Sequence, residues 1–262
     1  MQSTKMINKK RIPIPGIRKI VLVVSGKGGV GKSTISANLA LMLYKQGFKI
    51  GLLDADIYGP SIPTIFAIKS KPKIINNQLI PFQYYGVKLM SIGFLVPENH
   101  AIIWRGPMTT KTLHKLFIMT KWSQTNEDLD YLIIDTPPGT GDVHLSIIEN
   151  YIVNCAIIVS TPQTLSIIDA FKAVDMLKKL KIAILGCIEN MTYLTDHRGI
   201  KQPIFGKSRL REYCQDQEIK FLGSLPLLSN VARDYFFPDD NTYFQNILKN
   251  LKFDVRQNNK FK

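Results

Sequence analysis

The sequence has 262 residues, of which 45% are hydrophobic, and a formal net charge of +14. This length allows a single large domain to bury its core without disulfides or a structural metal. The cysteines Cys155, Cys187 and Cys214 lack the short spacing of a zinc site, a redox pair or a cluster-binding loop. No apolar stretch approaches the length of a membrane span. We interpret the chain as a cytoplasmic protein with reduced thiols.

The first 18 residues are predicted to form a basic N-terminal extension, which lacks the continuous apolar stretch of a signal peptide. We expect one folded domain over residues 19–251 and a polar C-terminal tail over residues 252–262. The basic residues are scattered and accompany frequent Ile and Asn, which favours codon drift over a dedicated polyanion-binding surface. Neither nucleic acid nor a membrane is therefore an expected partner.

Short apolar, β-branched runs alternate with helical patterns along the chain. Strands are predicted at residues 19–25, 49–54, 87–92, 131–135, 154–160, 182–188 and 220–225. Helices are predicted at residues 32–46, 107–122, 165–180, 207–216 and 242–251. Because most strands are nearly continuous apolar runs, we predict an α/β fold with a doubly wound, mostly parallel sheet flanked by helices.

Two segments fit this alternation poorly. Residues 69–85 contain two prolines and the pair Asn76-Asn77, which predicts an excursion with a hairpin that turns at the asparagines. Residues 191–205 form a polar insertion between a strand and a helix. Both segments leave the sheet where loops usually carry function.

The loop between the first strand and the first helix matches the phosphate-binding pattern G-x-x-x-x-G-K-[S/T]. It reads Gly26-Lys27-Gly28-Gly29-Val30-Gly31-Lys32-Ser33 and is followed by Thr34, and we assign all nine residues to nucleotide binding. The glycines let successive N–H groups point at phosphate oxygens, Lys32 neutralises the β and γ phosphates, and Ser33 binds Mg²⁺. The alternative is a glycine-rich turn without a ligand.

Lys27 is a second lysine at the beginning of this loop, where phosphate binding does not require one. We predict a catalytic role for this cation, either on its own nucleotide or across a twofold axis on the nucleotide of a partner subunit. The alternative is that Lys27 is one of many lysines in a lysine-rich chain.

Two carboxylates, Asp54 and Asp56, follow the second predicted strand. Residues just past a strand end face the crevice where α/β sheets bind ligands. We predict that one holds Mg²⁺ through water, a role we assign to Asp54, and that the other orients the attacking water. The alternative is that either one caps the following helix.

A further acid, Asp135, ends the apolar run Leu132-Ile133-Ile134 and is followed by a loop that two prolines stiffen. An apolar strand that ends in Asp is the expected indirect partner of Mg²⁺ in P-loop enzymes. Gly139 lets a backbone N–H approach the γ phosphate, so this loop is predicted to sense the nucleotide.

The phosphate loop with its extra lysine resembles that of the deviant Walker-A ATPases, which include nitrogenase iron protein, the MinD and ParA partitioning ATPases and the Mrp/ApbC iron-sulfur cluster carriers. Further segments, from about residue 19 to residue 240, narrow the resemblance to the Mrp/ApbC carriers. They are residues 54–61 (DADIYGPS), 104–108 (WRGPM), 135–142 (DTPPGTGD), 160–163 (STPQ), 189–191 (ENM) and 203–206 (PIFG).

This resemblance implies an ATP- and Mg²⁺-dependent homodimer with its two nucleotides near the subunit interface and with Lys27 reaching across it. It also implies slow ATP hydrolysis, an iron-sulfur cluster as cargo, and apoproteins and assembly factors as partners. Asn190 would contact the adenine base, whereas the alternative for this residue is a turn or helix cap.

The chain departs from the family pattern in one interval. Carriers of this family usually place a Cys-x-x-Cys pair between the Asn-Met and Pro-Ile-Phe-Gly segments, but residues 192–202 contain no cysteine. Aligned on the flanks, the missing thiols fall near Thr195 and Arg198, whose side chains do not replace thiolates as iron ligands. Asp196 and His197 are alternative metal ligands or simply solvated residues. No iron-sulfur ligands are therefore identifiable.

Three functions remain open from the sequence. The first is a cluster carrier that uses other ligands or a heterocomplex, and this is our primary prediction. The second is a nucleotide-switch ATPase that has lost cluster binding. The third is a MinD- or ParA-like partitioning ATPase, which the basic charge and an apolar stripe in the last predicted helix support weakly, because we expect that stripe to pack on the domain.

Overall fold

The computed structural model describes residues 11–95, 106–123, 127–196, 198–228, 231, 234–237 and 242–251. Within these residues the chain forms twelve strands: β1 Ile17–Val24, β2 Ile50–Asp54, β3 Ile74–Ile75, β4 Gln78–Leu79, β5 Phe82–Tyr84, β6 Val87–Ser91, β7 Leu129–Asp135, β8 Cys155–Ser160, β9 Ala183–Glu189, β10 Leu194–Thr195, β11 Lys201–Gln202 and β12 Phe221–Ser224. The α-helices are α1 Lys32–Lys45, α2 Ile62–Ile65, α3 Gly106–Met119, α4 Asp142–Asn150, α5 Thr164–Lys179, α6 Leu210–Asp216 and α7 Thr242–Leu251, and a 3₁₀ helix covers Ile92–Phe94.

Eight strands form one sheet in the order β12-β9-β8-β1-β7-β2-β6-β5. All neighbours are parallel except β5, which pairs antiparallel with β6. The residues at the centre of the sheet are buried, as expected for strands that are covered on both faces. The predicted doubly wound, mostly parallel sheet is confirmed.

The helices divide between two hydrophobic cores on the two faces of the sheet. One core contains buried side chains of α3, α4, α5 and α6. The other contains side chains of α1, α2 and α7. The apolar stripe of α7 packs into this second core, where Phe244 and Ile247 are fully buried. This packing confirms the interpretation that the stripe covers the domain.

The seven predicted strands all occur, with each end within two residues of its predicted position. The predicted asparagine hairpin is also present, since β3 and β4 pair antiparallel around Asn76 and Asn77. Both asparagines have positive φ, 50° and 59°, as a tight hairpin turn of this kind requires. Helix α4 and the edge strand β5 were not predicted, since no element was assigned to residues 142–150 and β5 falls within the predicted excursion.

The described part of the N-terminal extension lies against the domain. The Ile12 N–H donates to the Asn150 carbonyl over 2.9 Å, Ile14 is buried, and β1 already begins at Ile17. Residues 1–10, the tail 252–262 and the pair Trp104-Arg105 lie outside the described residues. In the part of the chain that is described, no helix has the length and apolar character needed to cross a membrane.

Candidate functional site

The carboxyl ends of the central strands β1, β2 and β7 meet at one edge of the sheet and border a cleft of about 390 Å³. Loops at this edge are where open α/β sheets bind ligands. The cleft is lined by Ser25, Lys27, Gly28, Gly29, Val30, Gly31, Lys32, Ser33, Thr34, Asp56, Gly59, Pro60, Ser61, Thr64, Ile65, Pro138 and Tyr235. The predicted phosphate loop therefore forms its floor.

Two glycines of the loop have no room for a side chain. A Cβ at Gly31 would lie 2.3 Å from the amide nitrogen of Asn190, and φ at Gly31 is 81°, which favours glycine. A Cβ at Gly26 would lie 2.0 Å from the backbone carbonyl carbon of Asp169 in α5. The loop is thus packed between α5 and Asn190, which directly follows β9.

Asp135 at the end of β7 accepts hydrogen bonds from three polar side chains at the start of α1. Its carboxylate accepts from the Lys32 ammonium at 2.7 Å, the Ser33 hydroxyl at 2.5 Å and the Ser36 hydroxyl at 2.8 Å. Asp135 is fully buried and Lys32 is 6% exposed, so this ion pair is desolvated. These contacts orient the lysine and the serine that the motif assigns to phosphate and Mg²⁺.

The structure places the two aspartates after β2 in different surroundings. Asp56 borders the cleft, whereas Asp54 is fully buried behind it. Asp54 accepts hydrogen bonds from the Ser91 hydroxyl at 2.9 Å, the Ile62 N–H at 3.1 Å and the Asp56 N–H at 3.1 Å. It therefore binds the first N–H of α2, as the capping alternative requires. The Mg²⁺ role of Asp54 stays a prediction.

The carboxylates at this edge of the sheet lie close enough to shift one another's pKa values. Burial, and then repulsion from Asp135, raise the pKa of Asp54 to about 7. Burial also raises the pKa of Asp56, while the Lys32 ammonium opposes that rise. Ser33 and these acids together offer oxygen ligands, which suit a hard cation such as Mg²⁺. A cation here would lower the pKa of both aspartates by attraction.

Asn190 lies beneath the phosphate loop. Its side-chain amide donates to the Val30 carbonyl over 2.9 Å, and its N–H donates to the Ser160 carbonyl over 2.8 Å. The next residue, Met191, has a positive φ of 58°, so the chain turns sharply just after β9. The observed contacts support the loop, and the adenine contact stays a prediction.

The predicted sensor loop closes the cleft on the side of β7. Pro138 lines the cleft, and the Gly139 N–H donates to the Ser25 carbonyl over 2.8 Å. This bond joins the sensor loop to the end of β1. Donation by the same N–H to a γ phosphate, which we predicted, requires the Ser25 bond to be exchanged.

Lys27 lies at the rim of the cleft and is exposed. No carboxylate of the described residues forms an ion pair with its ammonium. Lys27 is therefore placed where an ammonium group can contact a bound phosphate or point away from its own subunit. Val30 and Thr34, which we also assigned to nucleotide binding, line the same cleft.

His144 is a residue at this site that the sequence analysis missed. It lies in the first turn of α4, is 1% exposed, and its Nε2 is 2.9 Å from the Thr136 hydroxyl. Since that hydroxyl donates to the Val23 carbonyl, Nε2 of His144 is the donor to Thr136. Burial, and then the charge of Lys32, lower the pKa of His144 to about 4. The imidazole is therefore neutral and fixes the start of the sensor loop.

This lowered pKa predicts an acid-dependent loss of stability. The unfolded chain takes up a proton at His144 near pH 6.5 but the folded protein only near pH 4, so stability falls as the pH falls between these values. We expect His144 to contribute about 2 kcal/mol of this loss by pH 5. His144→Gln keeps a donor to Thr136 and does not titrate. Urea unfolding at pH 7.5 and pH 5 should show a smaller loss for the variant, and an equal loss would contradict the assignment.

The interval that lacks the family cysteines forms a small hairpin of β10 and β11. Asp196 organises its turn, accepting from the N–H groups of Arg198 and Ile200 at 2.9 Å each and from the Gln202 amide at 3.2 Å. His197 lies outside the described residues. Among those that are described, no group of three or more His, Cys, Asp or Glu side chains could hold a metal ion.

Comparison with known proteins agrees with this geometry. The model of the NUBPL iron-transfer P-loop NTPases, within the ParA group, matches residues 16–242. The iron-sulfur cluster carrier protein of Rickettsia felis is 45% identical over 87% of this chain and 67% of its own length. That of Aquifex aeolicus is 45% identical over 87% and 62%, and that of Escherichia coli K12 is 40% identical over 86% and 61%. The chain thus spans about two thirds or less of the length of these relatives.

Solved structures show the same fold. A nucleotide-binding protein from Archaeoglobus fulgidus in complex with ADP is 37% identical, with a TM-score of 0.72 over 84% of this chain and 86% of the other. The cell division ATPase MinD of Pyrococcus furiosus has a TM-score of 0.61 at 20% identity, covering 89% of this chain and 96% of the other. This second likeness supports the fold alone. From the family match, the carrier relatives and the phosphate-loop cleft, we conclude that the chain belongs to the NUBPL iron-transfer P-loop NTPase family.

Proposed function

We propose that this protein is a cytoplasmic homodimer that binds and slowly hydrolyses ATP and carries iron-sulfur clusters to apoproteins. The observation that carries the ATPase part lies at the end of the central strands. Lys32, Ser33 and Asp56 line one cleft there, and the buried Asp135 carboxylate accepts hydrogen bonds from Lys32 and Ser33. The names of the relatives support the cargo. Assembly factors that load the cluster are further expected partners.

In the proposed reaction, N–H groups of the phosphate loop and the Lys32 ammonium bind the triphosphate. Mg²⁺ would be held by the Ser33 hydroxyl and, through water, by Asp135, and when bound it neutralises charge on the phosphates. Asp56, the carboxylate that borders the cleft, orients the attacking water. A carboxylate at this position accepts a proton from that water as the water attacks the γ phosphate.

Lys27 acts on the nucleotide of the partner subunit in this proposal. Its exposed position at the rim leaves the ammonium accessible from outside its own subunit. A cation that arrives only when two subunits meet stabilises the charge that develops during phosphoryl transfer. Hydrolysis would then depend on dimer formation.

The cargo needs ligands from elsewhere, because the hairpin offers Thr195 and Arg198 where the family places thiols. We propose that the cluster is held by other ligands or shared with a second protein. The second candidate function is a nucleotide switch without a cluster. It is favoured by the engagement of Asp196 in the turn of the hairpin. In addition, the described residues contain no group of three or more His, Cys, Asp or Glu side chains that could hold a metal ion.

Anaerobic reconstitution with iron and sulfide separates these two functions. The carrier proposal predicts a visible absorbance band and stoichiometric iron and sulfide on the purified protein, whereas the switch predicts only the iron that remains without sulfide. The double variant Thr195→Cys, Arg198→Cys restores the spacing of the family thiols and serves as the positive control. Cluster binding by this variant but not by the natural chain would reject the carrier role of the isolated protein.

A further inference from the structure

The phosphate loop gives the cleft a direction. In this motif the lysine reaches the β and γ phosphates, and the start of the following helix lies beside the phosphates nearer the nucleoside. Lys27, Pro138 and Thr34 all line the cleft, and Thr34 lies in the first turn of α1. The nucleoside is therefore expected to leave the loop on the side of Thr34. Tyr235 lines the cleft as well.

Tyr235 has an uncommon backbone conformation. Its φ is 67°, in the left-handed region that bulky residues rarely adopt. Such conformations persist only where the surroundings enforce them, and they cluster at ligand-binding sites. An unstrained residue such as glycine or asparagine would satisfy the turn alone. A tyrosine in this strained conformation therefore indicates that its ring has a function.

Asn38 in α1 holds Tyr235 in place. The buried Asn38 amide donates to the Tyr235 carbonyl over 2.8 Å and to the Thr34 carbonyl over 2.7 Å, and its oxygen accepts from the Phe237 N–H at 2.8 Å. One asparagine side chain thus joins the Tyr235 carbonyl and the Phe237 N–H to the first turn of α1. The aromatic residue is tied to the nucleoside side of the phosphate loop.

We propose that Tyr235 is the aromatic wall on which the base of the bound nucleotide packs. This inference rests on the proposed nucleotide binding and adds the residue that recognises the base. A half-buried aromatic ring beside a phosphate site offers a flat apolar face to a heterocycle. Asn38 is the positioning residue for this contact.

The test compares two ligands that share the phosphates and differ in the base. Dissociation constants for Mg-ATP and for Mg-tripolyphosphate are measured by calorimetry for the natural chain, Tyr235→Gly and Tyr235→Phe. Glycine adopts the observed φ without strain, so Tyr235→Gly removes the ring and keeps the turn. We expect it to weaken Mg-ATP by about tenfold and tripolyphosphate by less than about twofold. Tyr235→Phe should keep both affinities within about twofold.

Two results would overturn the inference while leaving the proposed function intact. One is unchanged Mg-ATP affinity in Tyr235→Gly. The other is an equal loss for both ligands, which would mean that the residue only shapes the phosphate loop. Failure of the natural chain to bind Mg-ATP would reject the proposed function and this inference together.

Discussion

Lys32→Ala is expected to abolish nucleotide binding, with a loss of affinity for ATP of more than about a hundredfold. The ammonium is the desolvated cation at the floor of the cleft, 2.7 Å from the Asp135 carboxylate. Its removal takes away the charge that neutralises the phosphates and leaves Asp135, Asp54 and Asp56 to repel them. Equilibrium dialysis with labelled ATP measures the effect.

The control for this experiment must separate binding from folding, because Asp135 also loses its ion-pair partner. Thermal unfolding and circular dichroism should show that Lys32→Ala still folds at the temperature of the dialysis. Lys179→Ala, which changes an exposed lysine paired only with Asp175 among the described residues, should bind ATP normally. Near-normal ATP affinity in folded Lys32→Ala protein would contradict the assignment of the phosphate site.

Lys27→Ala should bind ATP nearly as well as the natural chain but hydrolyse it on the order of a thousandfold more slowly. The side chain lies at the exposed rim and is not part of the Asp135 cluster that organises the floor. Its proposed contribution comes only when charge moves during phosphoryl transfer. Phosphate release at saturating ATP measures turnover, and Lys27→Arg should recover part of it.

A mixed dimer tests whether this lysine acts across the interface. Differently tagged Lys27→Ala and Lys32→Ala subunits are co-expressed, and the heterodimer is isolated. In the trans arrangement the Lys32→Ala subunit supplies an intact Lys27 to the nucleotide of its partner, so hydrolysis returns at one of the two sites. A heterodimer as inactive as both parents, or normal turnover in Lys27→Ala, would remove the trans mechanism.

The fold was predictable where the chain pattern is local and strong. Central strands such as β7 are continuous apolar runs because both faces are covered, and the asparagine pair marks the turn of the hairpin between β3 and β4. Helix α4 was missed because it follows a proline- and glycine-rich motif and has only nine residues. Its buried positions, Val143, His144, Ile147 and Ile148, become a helical face only when the sheet lies beneath them. Edge strand β5 is equally dependent on its partner β6.

The sequence motifs predict which residues belong to the candidate site, but they do not predict the contacts between these residues. The phosphate loop and Asp56 line one cleft and Asp135 contacts Lys32, since parallel strands bring their carboxyl ends to one edge. The roles assigned to these residues stay predictions. Asp54 is buried and Asp56 borders the cleft because Asp54 binds Ser91 and the start of α2. These contacts cannot be predicted from the spacing of residues in the sequence. Tyr235 reaches the cleft from a segment about 200 residues beyond the loop, so its placement requires the folded chain.

The missing Cβ at Gly26 has a mechanical consequence. The backbone of the phosphate loop packs directly against the backbone of Asp169 in α5, with no side-chain atoms between them. A displacement of the loop is therefore transmitted directly to α5. Leu165 and Ile168, in the first turns of the same helix, are 66% and 41% exposed. A movement of the loop after phosphate release would therefore displace the exposed apolar side chains of Leu165 and Ile168.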